Sequence, residues 1–230
     1  MILCIETATP VCSAALCDHN KVVNVLVAEK GLSHASQLTV LIGELLETAG
    51  VAPLSLEAVA VSKGPGSYTG LRIGASVANG IAYGAGIPLI GINTLAAMCH
   101  GYLAVNTLPE GDATLLCPMI DARRMEVYNA LFTAKGVMVR ETSADIITDK
   151  SFSSELESGK VIFFGSGAEK CREVITGSNA LFEDDFSLSA SYLHIPSVRA
   201  LREKHFEDVA YFEPYYLKEF IATVPRKLIP

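Results

Sequence analysis

At 230 residues, half of them hydrophobic, the chain is long enough to bury a sizeable core as one large domain or two small ones. Its net charge of −7 and pI near 5.3 exclude strong unaided binding to nucleic acid or anionic membrane, so a nucleic-acid role needs a basic partner. No run reaches the roughly 18 apolar residues of a membrane span, and Glu6 interrupts the first apolar run too early for a signal peptide, so a cytoplasmic location is expected.

Residues 1–5 read as a buried strand ending at Glu6-Thr7-Ala8-Thr9-Pro10. Residues 11–17 and 22–28 follow as two more strands around the turn Asp18-His19-Asn20-Lys21, which makes a three-strand meander. Leu38, Leu41, Ile42, Leu45, Leu46 and Ala49 recur at three- and four-residue steps. They predict an amphipathic helix from about Ser36 that stops at Gly50.

Residues 58–84 read as strand, glycine turn and helix. The uncharged, β-branched run 58–61 suits burial on both sheet faces, and Gly64-Pro65-Gly66 ends it. On the helix that restarts near Thr69, Arg72, Ser76, Asn79 and Tyr83 form one polar stripe, and Gly70, Gly74, Ala78 and Ala82 form a row of small residues. A glycine inside a helix costs about 1 kcal/mol relative to alanine, and close approach of another helix would offset that cost. A buried crossover helix over a parallel sheet would also be nearly all apolar. The two readings are compatible if one side faces the sheet and the glycine row faces a partner. Two phosphate motifs nearly fit and fail: Gly70 comes one residue late for a P-loop, with Leu71 in place of the lysine, and Thr69 stands where a dinucleotide fingerprint needs its third glycine. Backbone N–H groups at a glycine turn can still hold an anion.

Residues 88–92 form a fifth strand, and Asn93 or Thr94 can cap a third helix towards Leu103. The stretch 103–114, with Asn106, Pro109, Glu110, Gly111 and Asp112, is the candidate boundary. It divides the chain into residues 1–105 and 106–230, with the last helix packing back on the first domain. The pattern then restarts: strands at 115–120, 125–132 and 137–141, an irregular helical stretch at 145–157, and a buried strand at 161–164 running into Gly165-Ser166-Gly167. A helix over 168–175 and a last helix capped by Ser197 and ending near Phe206 complete it. The six cysteines contain no C-x-x-C pair and sit mostly in apolar runs, as reduced core residues do. None of the five histidines, His19, His34, His100, His194 and His205, forms an H-x-x-x-H pair; His34 reads as a helix-start or interface residue.

Two β-β-β-α-β-α halves, each opening with a strand that ends in a carboxylate (Glu6, Asp121), resemble the duplicated α/β fold of the actin, hexokinase and Hsp70 superfamily, also called ribonuclease H-like. Within it, Ile5-Glu6-Thr7-Ala8-Thr9, the Gly64–Gly74 stretch, Gly86-Ile87-Pro88-Leu89-Ile90-Gly91, Asp121-Ala122-Arg123-Arg124-Met125-Glu126-Val127-Tyr128 and Glu213-Pro214-Tyr215-Tyr216-Leu217-Lys218 resemble the TsaB (YeaZ) family. Glu6 stands where that family usually has Asp, and Lys218 where Arg is common.

The resemblance implies a non-catalytic partner of TsaD in making threonylcarbamoyladenosine in tRNA, with TsaE and a TsaC-type enzyme in the pathway. It also implies a homodimer when TsaD is absent, and tRNA contact only through the complex. The expected partner face is His34, Leu38, Leu41, Leu45, Gly70, Arg72, Ile73, Gly74, Val77, Ala78 and Ile81. Glu6, Thr7, Gly64, Gly66 and Ser67 are candidate nucleotide or anion contacts; no cofactor is expected to bind tightly, and ATP or ADP is expected only at the complex interface. The metal-binding histidines of TsaD correspond here to Thr94 and Met98. The phosphate-wrapping hairpin of superfamily ATPases is here Thr7-Ala8-Thr9-Pro10, in which proline removes a donor. The competing readings are an actin-superfamily small-molecule kinase or a glycoprotein-peptidase type of enzyme, and a free-standing nucleotide sensor.

Overall fold

The computed structural model describes residues 1–29, 33–108 and 113–217. Lys218 and the boundary residues Pro109, Glu110, Gly111 and Asp112 lie outside them.

The first half runs β1 (Ile2–Glu6), β2 (Ser13–Cys17), β3 (Val22–Val27), α1 (His34–Ala49), β4 (Ala58–Gly64), α2 (Tyr68–Ala85), β5 (Leu89–Asn93) and α3 (Thr94–Val105). The second runs β6 (Leu115–Asp121), β7 (Glu126–Thr133), β8 (Met138–Ile146), α4 (Ser153–Ser158), β9 (Val161–Phe164), β10 (Ala180–Glu183) and α5 (His194–Glu203). The sheets have equivalent orders, β3-β2-β1-β4-β5 and β8-β7-β6-β9-β10. In each, the opening strand pairs antiparallel with the second and parallel with the fourth: Cys4 lies opposite Ala15 and Ala60, and Leu116 opposite Phe132 and Ile162. β1 is covered on both faces, and all five of its side chains are buried.

One face of the first sheet, through Leu3, Ile5, Val59 and Val61, packs on α1 and α2. The other, through Ile2, Cys4, Ala60 and Ile90, packs with α3 and α5 against Leu116, Ile120, Phe132 and Phe164 of the second sheet, so one core runs between the two halves. A third cluster around Cys117, Phe163 and Phe152 covers the far face of the second sheet. Among the described residues no helix is long and apolar enough to cross a membrane.

The second half departs from the sequence reading in four places. β8 continues to Ile146 because its pairing with β7 places Ser143 and Asp145 beside Asn129, whose Nδ2 donates to Asp145 at 2.9 Å; the helix expected over 145–157 is the short α4, Ser153–Ser158. The helix expected over 168–175 is a single 3-10 turn, Glu169–Cys171, folded over the buried Cys171 and Ile175. β10 was not foreseen from the sequence. The last helix starts at His194, and Ser197 is a buried residue of its first turn whose Oγ donates to the His194 carbonyl at 2.8 Å.

Candidate functional site

The strand–turn–helix unit at 58–86 is the centre of the first half. β4 runs parallel between β1 and β5 and delivers the glycine turn at their carboxyl ends. Ser67 caps α2 by accepting from the Gly70 N–H, and Gly86, in the left-handed conformation at φ 64°, ends it.

The small-residue row faces inward, which corrects the expectation that it meets a partner helix. The hairpin Thr7–Pro10 lies beneath α2 and is held by the Ser67 N–H on the Ala8 carbonyl at 2.7 Å. A Cβ on Gly66 would strike Ala8, one on Gly70 the Thr7 carbonyl, and one on Gly74 the Thr7 hydroxyl, all closer than the 3.0 Å real Cβ atoms keep. The glycines let the hairpin approach the helix backbone. Ala78, Leu38, Leu41 and Leu45 are likewise buried in the domain's own core. Six of the eleven expected partner residues, Leu38, Leu41, Leu45, Gly70, Gly74 and Ala78, are therefore internal, because a helix on a sheet turns its smallest and most apolar rows inward.

The other five stay accessible. Arg72 is exposed, and His34, Ile73, Val77 and Ile81 are half-buried. His34 Nε2 lies 3.3 Å from the Pro10 carbonyl, so this histidine ties the start of α1 to the same hairpin. Beside them the structure exposes Val40 (62%), Tyr83 (83%), Gly43, Gly80 and Gly84, and a Cβ on any of these three glycines would meet nothing within 4 Å. Sequence reasoning missed this outward row; the signal was Gly80 and Gly84 spaced by four next to the polar stripe.

Of the expected nucleotide or anion contacts, Glu6 and Ser67 are bonded within the chain, whereas the buried Thr7 hydroxyl has no hydrogen-bond partner among the described residues. Glu6 is fully buried: its carboxylate accepts the Ala8 N–H at 2.6 Å and the Ser62 hydroxyl, and burial pushes its pKa up to about 7 against the pull of these bonds. Ser67 is spent on the helix cap. Gly64, at φ 117°, has its free side against the Tyr215 carbonyl, and Thr7 is buried under Gly74.

Thr94 and Met98 are buried in α3, and among the described residues no three His, Cys, Asp or Glu side chains gather as metal donors. Asp121 is held by Lys170, whose Nζ also donates to the carbonyls of Arg124 and Glu126 at 2.7 Å each. That turn keeps both Arg123 and Arg124 at positive φ, 69° and 48°, with exposed side chains. Gly165 and Gly167 are glycines for packing reasons, against Met98 and Met119 and against Val127 and Ile120.

The segment after α5 returns over the first sheet. The Glu207 N–H donates to the Leu89 carbonyl at 2.8 Å, Phe212 is buried in the first core, and the Tyr215 N–H donates to the Lys63 carbonyl at 2.6 Å. Tyr216 thereby reaches the start of α2, with its ring centroid 5.0 Å from that of Tyr68.

Two five-stranded sheets of equivalent order, with a pair of helices on the outer face of the first, define a duplicated actin-like protein whose first hairpin is packed shut against its helix. A family model described as TsaD, tRNA N6-adenosine threonylcarbamoyltransferase, matches residues 27–219. The tRNA threonylcarbamoyladenosine biosynthesis protein TsaB of Escherichia coli K12 is 30% identical over 227 residues, covering 96% of each chain, and that of Bacillus subtilis 168 is 28% identical over 223 residues, covering 94% of this chain and 93% of its own. The chain belongs to the TsaB (YeaZ) family, within the actin-like superfamily. A YeaZ-like crystal structure from Pseudomonas aeruginosa shares the fold at a TM-score of 0.81 and 22% identity, covering 94% of this chain and 99% of that one.

Proposed function

We propose that this chain is a non-catalytic partner of TsaD in the formation of threonylcarbamoyladenosine in tRNA. The observation that carries the reading is the outward side of α1 and α2: Gly43, Gly80 and Gly84 leave the helix backbones bare, with Val40 and Tyr83 exposed and Val77 and Ile81 half-buried on the same two helices. An exposed glycine costs helix stability with no internal contact to offset it, and a bare backbone lets a second helix pair approach closely. Two of these helices against two from a relative of the same fold make a four-helix contact. With TsaD absent, the same face would pair two copies of this chain.

The packed hairpin and the internally bonded Glu6 support a role without catalysis, and a nucleotide, ATP or ADP, would be held only where TsaD completes a site. TsaE and a TsaC-type enzyme act in the same pathway on this reading, and tRNA enters through the complex. The kinase and peptidase readings have no comparable support in the site. The test is reconstitution: TsaD from the same organism should form modified tRNA only with this chain present, and Gly80→Leu should abolish association at a melting temperature no lower than the parent's. Modification at full rate without this chain would refute the role.

A further inference from the structure

We infer that Arg72 is a pre-positioned anchor for a carboxylate on the partner protein. It opens the exposed stripe of α2 and sits one turn ahead of Ser76 on the face described above. Its guanidinium lies over the Tyr68 ring, 4.6 Å from the centroid, and its Nε donates to the Tyr216 hydroxyl at 3.3 Å. Tyr216 is held in turn by the returning segment, through Tyr215 on Lys63, buried Phe212 and Glu207 on Leu89; the Lys63 Nζ to Glu207 ion pair at 2.9 Å closes the same seam. An exposed arginine normally loses much side-chain freedom on binding. Here one ring and one hydroxyl have already fixed the plane of the fork.

Among the described residues no acceptor meets the two terminal nitrogens and no carboxylate forms an ion pair with Arg72; Glu213 acts on it only at longer range. A planar fork whose outer nitrogens meet no described residue is matched by a carboxylate, which it can bind through two parallel hydrogen bonds. Half-buried Ile73, Val77 and Ile81 lie on the same helix next to the polar stripe, and the chain carries −7, so a protein side chain fits this place better than an RNA phosphate.

This inference rests on the partner reading, and titration of the full chain with TsaD separates the two. Arg72→Ala should weaken association by about 10- to 100-fold, Arg72→Lys should recover little of it, and Tyr216→Phe should weaken it about 2- to 5-fold. All three variants should melt within about 2 °C of the parent, and the loss should shrink at high salt. Association of the parent with Arg72→Ala unchanged within about twofold would overturn the anchor and leave the partner reading standing. No association of the parent would overturn both. Unchanged association with weakened tRNA binding by the assembled complex would assign Arg72 to RNA phosphate and overturn the carboxylate.

Discussion

A Cβ built on Gly74 falls on the hydroxyl of Thr7, inside the 3.0 Å that real Cβ atoms keep from other atoms. That relationship fixes what the small-residue row of α2 is for: it seats the β1–β2 hairpin against a helix backbone within one half of the molecule. The opposite side of the same helix is bare: a Cβ on Gly80 or Gly84 would meet nothing within 4 Å.

Gly74→Ala should destabilise the fold and spare association. The new methyl must displace a stiff, buried threonine, and overpacking of this kind costs about 1–3 kcal/mol, or roughly 2–4 °C of melting temperature per kcal/mol in a chain of this size. The measurements are a thermal melt and the partner affinity of the folded fraction. Lost affinity at an unchanged melt would return the row to the interface.

Gly80→Ala should do the reverse. Its Cβ enters open space on an exposed helical face, so the gain in helix propensity, about 0.5–1 kcal/mol, should appear as a higher urea midpoint with an unchanged slope. A lower midpoint would mean that the position has an internal neighbour.

Glu6 should make the protein less stable as pH rises from about 5 to 8. Its folded-state pKa, pushed up to about 7 by burial, lies above the ordinary range of a glutamate, so the fold favours the protonated form. That contribution is complete below the unfolded value and is lost as pH climbs through the folded one, roughly 3 kcal/mol in all. His100, pushed down by burial and by Arg199, acts in the opposite sense near neutrality, so the informative quantity is the difference between parent and Glu6→Gln. Glutamine keeps an acceptor for the Ala8 N–H without the buried charge. Its urea midpoint should exceed the parent's at pH 8 and approach it at pH 5; parallel profiles would show that Glu6 does not titrate in this range.

Arg124→Gly should stabilise the turn between β6 and β7. A side chain at φ 48° carries the steric cost of the left-handed region, and glycine removes it at the expense of some unfolded-state entropy. Because the Lys170 bond is to the backbone carbonyl of Arg124, it survives the change. A net gain of about 0.5–1 kcal/mol is expected in chemical denaturation, and a loss would show that the arginine side chain itself holds the turn.

The amino-acid order by itself determined the repeated strand pattern, a cap at Asn93 or Thr94, the stop at Gly50 and the missing ligand spacing at Thr94 and Met98. These are short-range properties: alternation, helical period, turn chemistry and spacing on one element. The thinner second half was less legible, because β8 and β10 are defined by pairing with β7 and β9 rather than by their own composition. Which side of α2 meets the hairpin and which meets solvent could not be read from a helix apolar on nearly every face, since both rows of glycine look alike along the chain. Only the tertiary structure decided it, by placing Thr7 against Gly70 and Gly74 and leaving Gly80 and Gly84 bare, and by bringing Tyr216 across 144 residues of sequence to Arg72.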